Sequence, residues 1–268
     1  MRSGLESLLG DGSKIQKIRL MRGDIRFKIP KNLPEKLSGA TITSVRRRAK
    51  YLFFETPNGA LLSHLGMTGS WRVERTSATQ ADLDKHDHVF VDLSDGRTLV
   101  FRDPRRFGVI DFIKPGDAAG HKLLKHLGPE PLDADSFNGE SLHTRSRHRK
   151  IAVKVFIMDQ KIVVGVGNIY ASEALFRAKI NPRKAAGRLT RNEADRIVLA
   201  IRDVLTAAIR AGGSSIRDYR QASGESGAFQ DSHLVYDRKG RPCSVCGTPI
   251  RSRVMGGRST YWCPTCQK

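Results

Sequence analysis

At 268 residues the chain is long enough for two modest domains and a small appended module. Forty-seven Lys and Arg against 27 Asp and Glu give a formal charge of +20, spread along the whole length, which favours a nucleic-acid partner over an unspecialised basic soluble protein or a membrane surface. No run of about eighteen apolar residues and no signal-like start occurs, so a cytoplasmic protein without membrane contact is expected.

Residues 1–10 read as a short helix with Leu5, Leu8 and Leu9 on one side and Gly10 as its stop. From Lys14 period-two alternation takes over in KIQKIRL, ITSVRRRAKYLFFE, ALLSHLGMTGSWRV, HVFVDLSDGRTLVFRD and FGVIDFI. Turns are expected at Pro57-Asn58-Gly59 and Asp95-Gly96. Successive antiparallel strands predict a β-sandwich or barrel-like domain over residues 1–115. Helical periodicity then runs from about Ala118 to Ala211, within a second domain of residues 118–222. Its clearest helix opens on a capping box, Thr190 with Glu193. It carries an apolar stripe of Ile197, Val198, Ile201, Val204, Leu205 and Ala208, and ends at Gly212-Gly213. Just upstream, Gly165, Gly167 and Asn168 form a turn that opens a helix at Ile169. Residues 214–232 are polar, with Gly224 and Gly227, and read as a mobile loop before the last module, residues 234–268.

That module holds the only cysteines, Cys243 and Cys246, then Cys263 and Cys266 after a sixteen-residue gap. Two such pairs complete a tetrahedral four-cysteine site for one structural Zn²⁺. A pair of disulfides is the alternative, disfavoured by the absence of a secretory segment. Four protein ligands leave no open position, so the zinc holds structure and does not activate water. Arg251, Arg253 and Arg258 lie between the Cys pairs, and Arg238, Lys239 and Arg241 precede them, which suits a polyanion.

Four further features can carry chemistry. The Gly165–Asn168 turn offers backbone N–H groups at a helix start, as an anion site does, and follows the basic residues Arg145, Arg147, Arg149 and Lys150; a bare packing turn and a solvated charged loop are the alternatives. Lys50 enters an apolar strand, where its amine can be partly desolvated for acid–base work, or can simply protect a strand edge. Lys85-His86-Asp87-His88 carries two imidazoles without a third metal ligand, so phosphate contact is expected in place of a metal site. Asp103-Pro104-Arg105-Arg106-Phe107-Gly108 reads as a rigid turn whose cations and aromatic ring can wedge a duplex.

RRAKYLFFE, HLGMTGS, KHDHV, DPRRFG, HLGPEPL, VVGVGNIYASEALF, YDRKGRPC and RSTYWCPTCQK together resemble the formamidopyrimidine-DNA glycosylases, bifunctional base-excision repair enzymes of bacteria, over essentially the whole chain and in family order. The resemblance implies an α+β multidomain fold: an N-terminal β-sandwich, a helix-two-turns-helix domain and a C-terminal zinc ribbon. It implies a partner of double-stranded DNA carrying oxidised purines or abasic sites, cut by β- and δ-elimination, and a monomer associated with the nucleoid through DNA. By the same resemblance Lys50 serves β-elimination and Arg258 serves δ-elimination. His86, Arg105, Lys150 and Asn168 contact DNA, and Met67, Arg105 and Phe107 fill the gap left by an extruded base. The loop around Arg217 to Phe229 resembles the family's lid over the lesion.

One departure is expected to matter. Family members open on a nucleophilic proline followed by a catalytic glutamate, and Met1-Arg2-Ser3-Gly4-Leu5 aligns with the helix after that opening. The native product is therefore expected to carry Pro-Glu ahead of Met1. The 268 residues alone are expected to bind abasic duplex without a borohydride-trapped adduct. Alternatives are a catalytically impaired damaged-DNA-binding protein of the same fold, an endonuclease VIII-like enzyme for oxidised pyrimidines, and an RNA-binding ribbon protein. The last lacks the aromatic sheet platform such proteins use.

Overall fold

The computed structural model describes residues 1–9, 12–75, 84–213 and 229–268. These fall into two compact units, the first within Met1–Lys125 and the second built from His126–Gly213 and residues 229–268. Among the described residues no helix is long and apolar enough to cross a membrane.

The first unit begins with helix α1 (Arg2–Leu9), which buries Leu5 and Leu9. Leu8, expected on the same side, is 38% exposed, at the edge of the buried face. Eight strands follow: β1 (Ile15–Leu20), β2 (Ser44–Arg48), β3 (Tyr51–Thr56), β4 (Gly59–His64), β5 (Ser70–Arg75), β6 (Asp87–Leu93), β7 (Arg97–Arg102) and β8 (Val109–Ile113), with helix α2 (Leu33–Leu37) after β1. They form two antiparallel sheets, β1-β6-β7-β5 and β2-β3-β4-β8. Ile15, Ile18, Val89, Val91, Leu99 and Phe101 from the first sheet share one core with Val45, Leu52, Phe54, Leu61 and Ile110 from the second, so the unit is a β-sandwich. Trp71 joins the sheets, its ring edge-on to Phe54 at 5.1 Å and its indole N–H donating to Ser63 Oγ at 2.9 Å.

Two of the sequence stretches read as continuous are broken. ITSVRRRAKYLFFE is a hairpin, with Arg48 opposite Tyr51 and Ala49-Lys50 as its turn. Ala49 takes φ 54°, and with no Gly or Asn there the turn carries no sequence signal. ALLSHLGMTGSWRV likewise changes sheets between β4 and β5.

The second unit contains α3 (Gly139–Ser146), α4 (Val153–Met158), α5 (Asn168–Arg177) and α6 (Arg191–Arg210) around one apolar core. Residues 115–138 hold turns but no helix, so helical structure starts at Gly139 and not near Ala118. The expected stripe of α6 is buried throughout, and both capping-box hydrogen bonds between Thr190 and Glu193 form. At its end the Gly213 N–H reaches Ala208 O and the Gly212 N–H reaches Ile209 O, a Schellman stop with both glycines at positive φ. Of the loop read from the sequence, residues 214–228 lie outside the described residues, while Phe229–Ser232 forms a 3₁₀ turn with Phe229 buried. Strands β9 (Arg251–Met255) and β10 (Arg258–Trp262) complete the ribbon hairpin.

Candidate nucleic-acid interface and metal centre

The ribbon is organised by its sulfurs, which all lie within 4.8 Å of one another. Ligands about 2.3 Å from one zinc ion stand about 3.8 Å apart in a tetrahedron. Cys243 and Cys266 are 3.9 Å apart and Cys246 and Cys263 3.5 Å, so the donor set fits zinc and is far too wide for disulfides. The Val245 N–H points at Cys243 Sγ and the Cys266 N–H at Cys263 Sγ, as donors to metal-bound thiolates do. The hairpin turns at Gly256-Gly257, both at positive φ, which a two-residue turn of the I′ kind requires. Arg258 follows directly and is exposed.

Beside it lies the second unit's polar centre. Asn168 is the first residue of α5, with Gly167 as cap, one position earlier than the expected helix start. Its amide donates to Ser259 O at 2.9 Å, and its carbonyl accepts the ammonium of Lys154, a residue with no exposed surface. Burial, and then the nearby Arg258 guanidinium, lower the Lys154 pKa to about 8. The sequence offered no signal for Lys154, which sits in the apolar run VKVFIM. Lys150 is exposed nearby in the chain, whereas Arg145 and Arg147 of the basic cluster donate to the carbonyls of Lys161 and Gly187. Glu173 was also unforeseen. Its buried carboxylate accepts the N–H groups of Leu234, Val235 and Tyr236 at 3.0, 3.0 and 2.8 Å, tying α5 to the ribbon's first residues.

In the first unit the other expected residues gather near the loops between strands. Lys50 is exposed on the β2–β3 turn, not at the mouth of a long strand. Below it His64 accepts the Gly66 N–H at Nδ1, 2.8 Å away, and burial, with Lys50 and Arg26 as neighbouring cations, lowers its pKa to about 4. That imidazole is neutral at physiological pH. Met67, Arg105 and Phe107 are all exposed, with the Arg105 guanidinium 4.9 Å from the Phe107 ring centre. Both of their loops hang on Asp103, whose carboxylate accepts the Thr68 hydroxyl at 2.6 Å and the Gly108 N–H at 2.7 Å. His86 is half-buried, and its carbonyl accepts the Asp103 N–H. His88 differs from the expectation of phosphate contact: it is buried and its Nε2 meets Asp103 O at 2.9 Å. Arg72 grips buried Asp87 through two nitrogens, at 2.8 and 2.6 Å, bracing the start of β6 between His86 and His88.

The sequence matches the formamidopyrimidine-DNA glycosylase N-terminal domain over residues 1–110, that family's H2TH domain over residues 127–220, and the zinc finger found in FPG and IleRS over residues 240–268. A formamidopyrimidine-DNA glycosylase of Bdellovibrio bacteriovorus is 51% identical over 268 residues, covering 100% of this chain and 97% of that protein. The chain belongs to the formamidopyrimidine-DNA glycosylase family. Among solved structures, the MutM (Fpg) protein of Thermus thermophilus is 40% identical, with TM-score 0.87 over 99% of this chain and 95% of that one. Lactococcus lactis Fpg bound to DNA with an abasic site is 33% identical, with TM-score 0.90 over 100% of this chain and 96% of that one. Membership makes the chain a DNA glycosylase by family, and its four-cysteine ribbon a zinc finger holding one structural zinc.

Proposed function

We propose that this glycosylase removes oxidised purines, 8-oxoguanine and formamidopyrimidines, from duplex DNA and cuts the abasic strand by β- and then δ-elimination. The observation that carries the reading is the meeting of Asn168, Lys154 and Arg258 beside a zinc-fixed hairpin. A helix start backed by a buried ammonium, with an exposed guanidinium beside it, suits a phosphate. It also keeps a cation against the oxygen that must leave as phosphate in δ-elimination, the role given to Arg258.

The first unit supplies the complementary parts. Lys50, on an exposed turn, is the acid–base group for β-elimination. Met67, Arg105 and Phe107 stand clear of the fold as a duplex wedge, and His86 adds a DNA-backbone contact, as does Lys150 of the second unit. The Lactococcus lactis relative, whose structures hold DNA with Fapy-dG or an abasic site, supports the substrate class. The protein is expected to act as a monomer on chromosomal DNA in the cytoplasm.

The test is strand cutting, by a chain carrying the family's Pro-Glu opening ahead of Met1, on end-labelled duplexes carrying 8-oxoguanine opposite cytosine, thymine glycol opposite adenine, or no lesion. The 8-oxoguanine strand should be cut at least about tenfold faster than the thymine glycol strand, a margin within reach of base-edge contacts in a lesion pocket. A preference for thymine glycol would place the chain with the endonuclease VIII-like enzymes. Tight binding without cutting would make it a damaged-DNA binder.

A further inference from the structure

We infer that Asp103 and Thr68 are positioning residues that lock the loops bearing Met67, Arg105 and Phe107 into one preformed wedge. The inference rests on the wedge reading of those three side chains. Asp103 has no exposed surface, and among the described residues its carboxylate meets hydroxyl and amide donors but no cation. A buried carboxylate without a counter-charge is disfavoured against an apolar residue of similar size, so what it holds in place must matter.

What it holds is both ends of the wedge. Oδ1 accepts the Thr68 hydroxyl at 2.6 Å, one residue from Met67, and that hydroxyl accepts the Arg105 N–H at 3.2 Å. Oδ2 accepts the Gly108 N–H at 2.7 Å, one residue from Phe107. The Asp103 carbonyl accepts the Arg106 N–H at 3.2 Å and meets His88 Nε2 at 2.9 Å. Every residue from 105 to 108 except Phe107 is thus tied to Asp103 or to its partner Thr68.

The two loops also touch through their backbones. A Cβ on Gly66 would stand 2.5 Å from the Phe107 carbonyl carbon, and one on Gly108 2.9 Å from the His64 carbonyl oxygen. Met67 is 64% exposed and Phe107 42%, so their own side chains have little of the fold to hold them. Fixing their backbones beforehand removes ordering cost from the insertion step. Thr68 and Asp103 therefore act on insertion through Met67, Arg105 and Phe107, without touching DNA.

The experiment uses the full chain and a duplex with a tetrahydrofuran abasic analogue opposite 2-aminopurine, whose fluorescence rises when the wedge unstacks it. Thr68→Val and Asp103→Asn should slow the stopped-flow rise about tenfold or more, the scale of effect small misplacements have. Affinity for undamaged duplex and its salt dependence should stay within about twofold, because phosphate contacts are intact. Thr68→Ser keeps the hydroxyl and should restore the wild-type rate. Wild-type insertion by Thr68→Val, or a Thr68→Ser variant as slow as Thr68→Val, would overturn the proposal, as would a parallel loss of undamaged-duplex binding. Phe107→Ala separates the two readings. If it leaves the rise unchanged, the wedge itself is refuted; if it abolishes the rise while Thr68→Val does not, only the clamp is. Should Asp103→Asn fail to fold, the Thr68 pair decides alone.

Discussion

Lys154 gives its ammonium to the side-chain oxygen of Asn168 from a position with no contact with solvent. The pairing holds the asparagine amide in one orientation, because its other end must then donate, and it does so to Ser259 O on the ribbon. A cation, a helix start and the strand after Arg258 are joined by two hydrogen bonds.

Burial of Lys154, and then the nearby Arg258, should make DNA binding pH-dependent above neutrality. Lys154, lowered to about 8, carries its charge below that pH and loses it above. Affinity for an abasic-analogue duplex, followed by anisotropy at constant ionic strength, should therefore weaken between pH 7 and 9. Lys154→Met should bind more weakly at pH 7 and remove the pH dependence in this window. For stability the sign is opposite: between the lowered folded value and the higher unfolded one the unfolded chain holds more protons, so stability rises with pH across that interval. Equal pH profiles for wild type and variant would contradict the assignment.

Glu173 should be structural in a measurable way. Its carboxylate accepts three backbone N–H groups, and Glu173→Gln turns one acceptor into a donor facing them. Leaving one or two buried N–H groups unmet costs about 1–3 kcal/mol each. Urea unfolding should show the loss, and hydrogen exchange at Leu234, Val235 and Tyr236 should accelerate before that of the α6 core. Unchanged protection at these amides would refute the role.

Zinc removal should act on the ribbon alone. The metal supplies about 10–16 kcal/mol of apparent binding energy in small zinc modules, and the β9–β10 hairpin has little apolar core of its own. A chelator should release one equivalent of zinc, lower affinity for duplex DNA, and leave the sandwich signal of buried Trp71 in place. Cys246→Ser should do the same. Loss of the sandwich together with the metal would contradict a purely local role.

Much of the scaffold is readable from sequence where the signal is local. The Thr190–Glu193 box, the Gly212-Gly213 stop and the Asp95-Gly96 turn each depend on residues within a few positions of one another, and each forms. The cysteine spacing is similarly self-contained. What the sequence hides depends on distant partners. Glu173 meets backbone groups 61 to 63 positions away, and Asp103 meets Thr68 at a separation of 35. Lys154 reads as an interruption of an apolar helix until Asn168 is placed against it. The β2–β3 hairpin escapes notice for a different reason: Ala49 adopts a left-handed φ that its side chain does not advertise.

The most direct measurement follows the products formed from a 5′-labelled duplex holding a single abasic site. A chain carrying the family's Pro-Glu opening ahead of Met1 should leave a fragment ending in 3′-phosphate, the mark of β- followed by δ-elimination. Arg258→Ala should stop at the 3′-unsaturated aldehyde of β-elimination alone, and Lys50→Ala should slow the first cut. A 3′-hydroxyl end, or an Arg258→Ala product identical to wild type, would contradict the account.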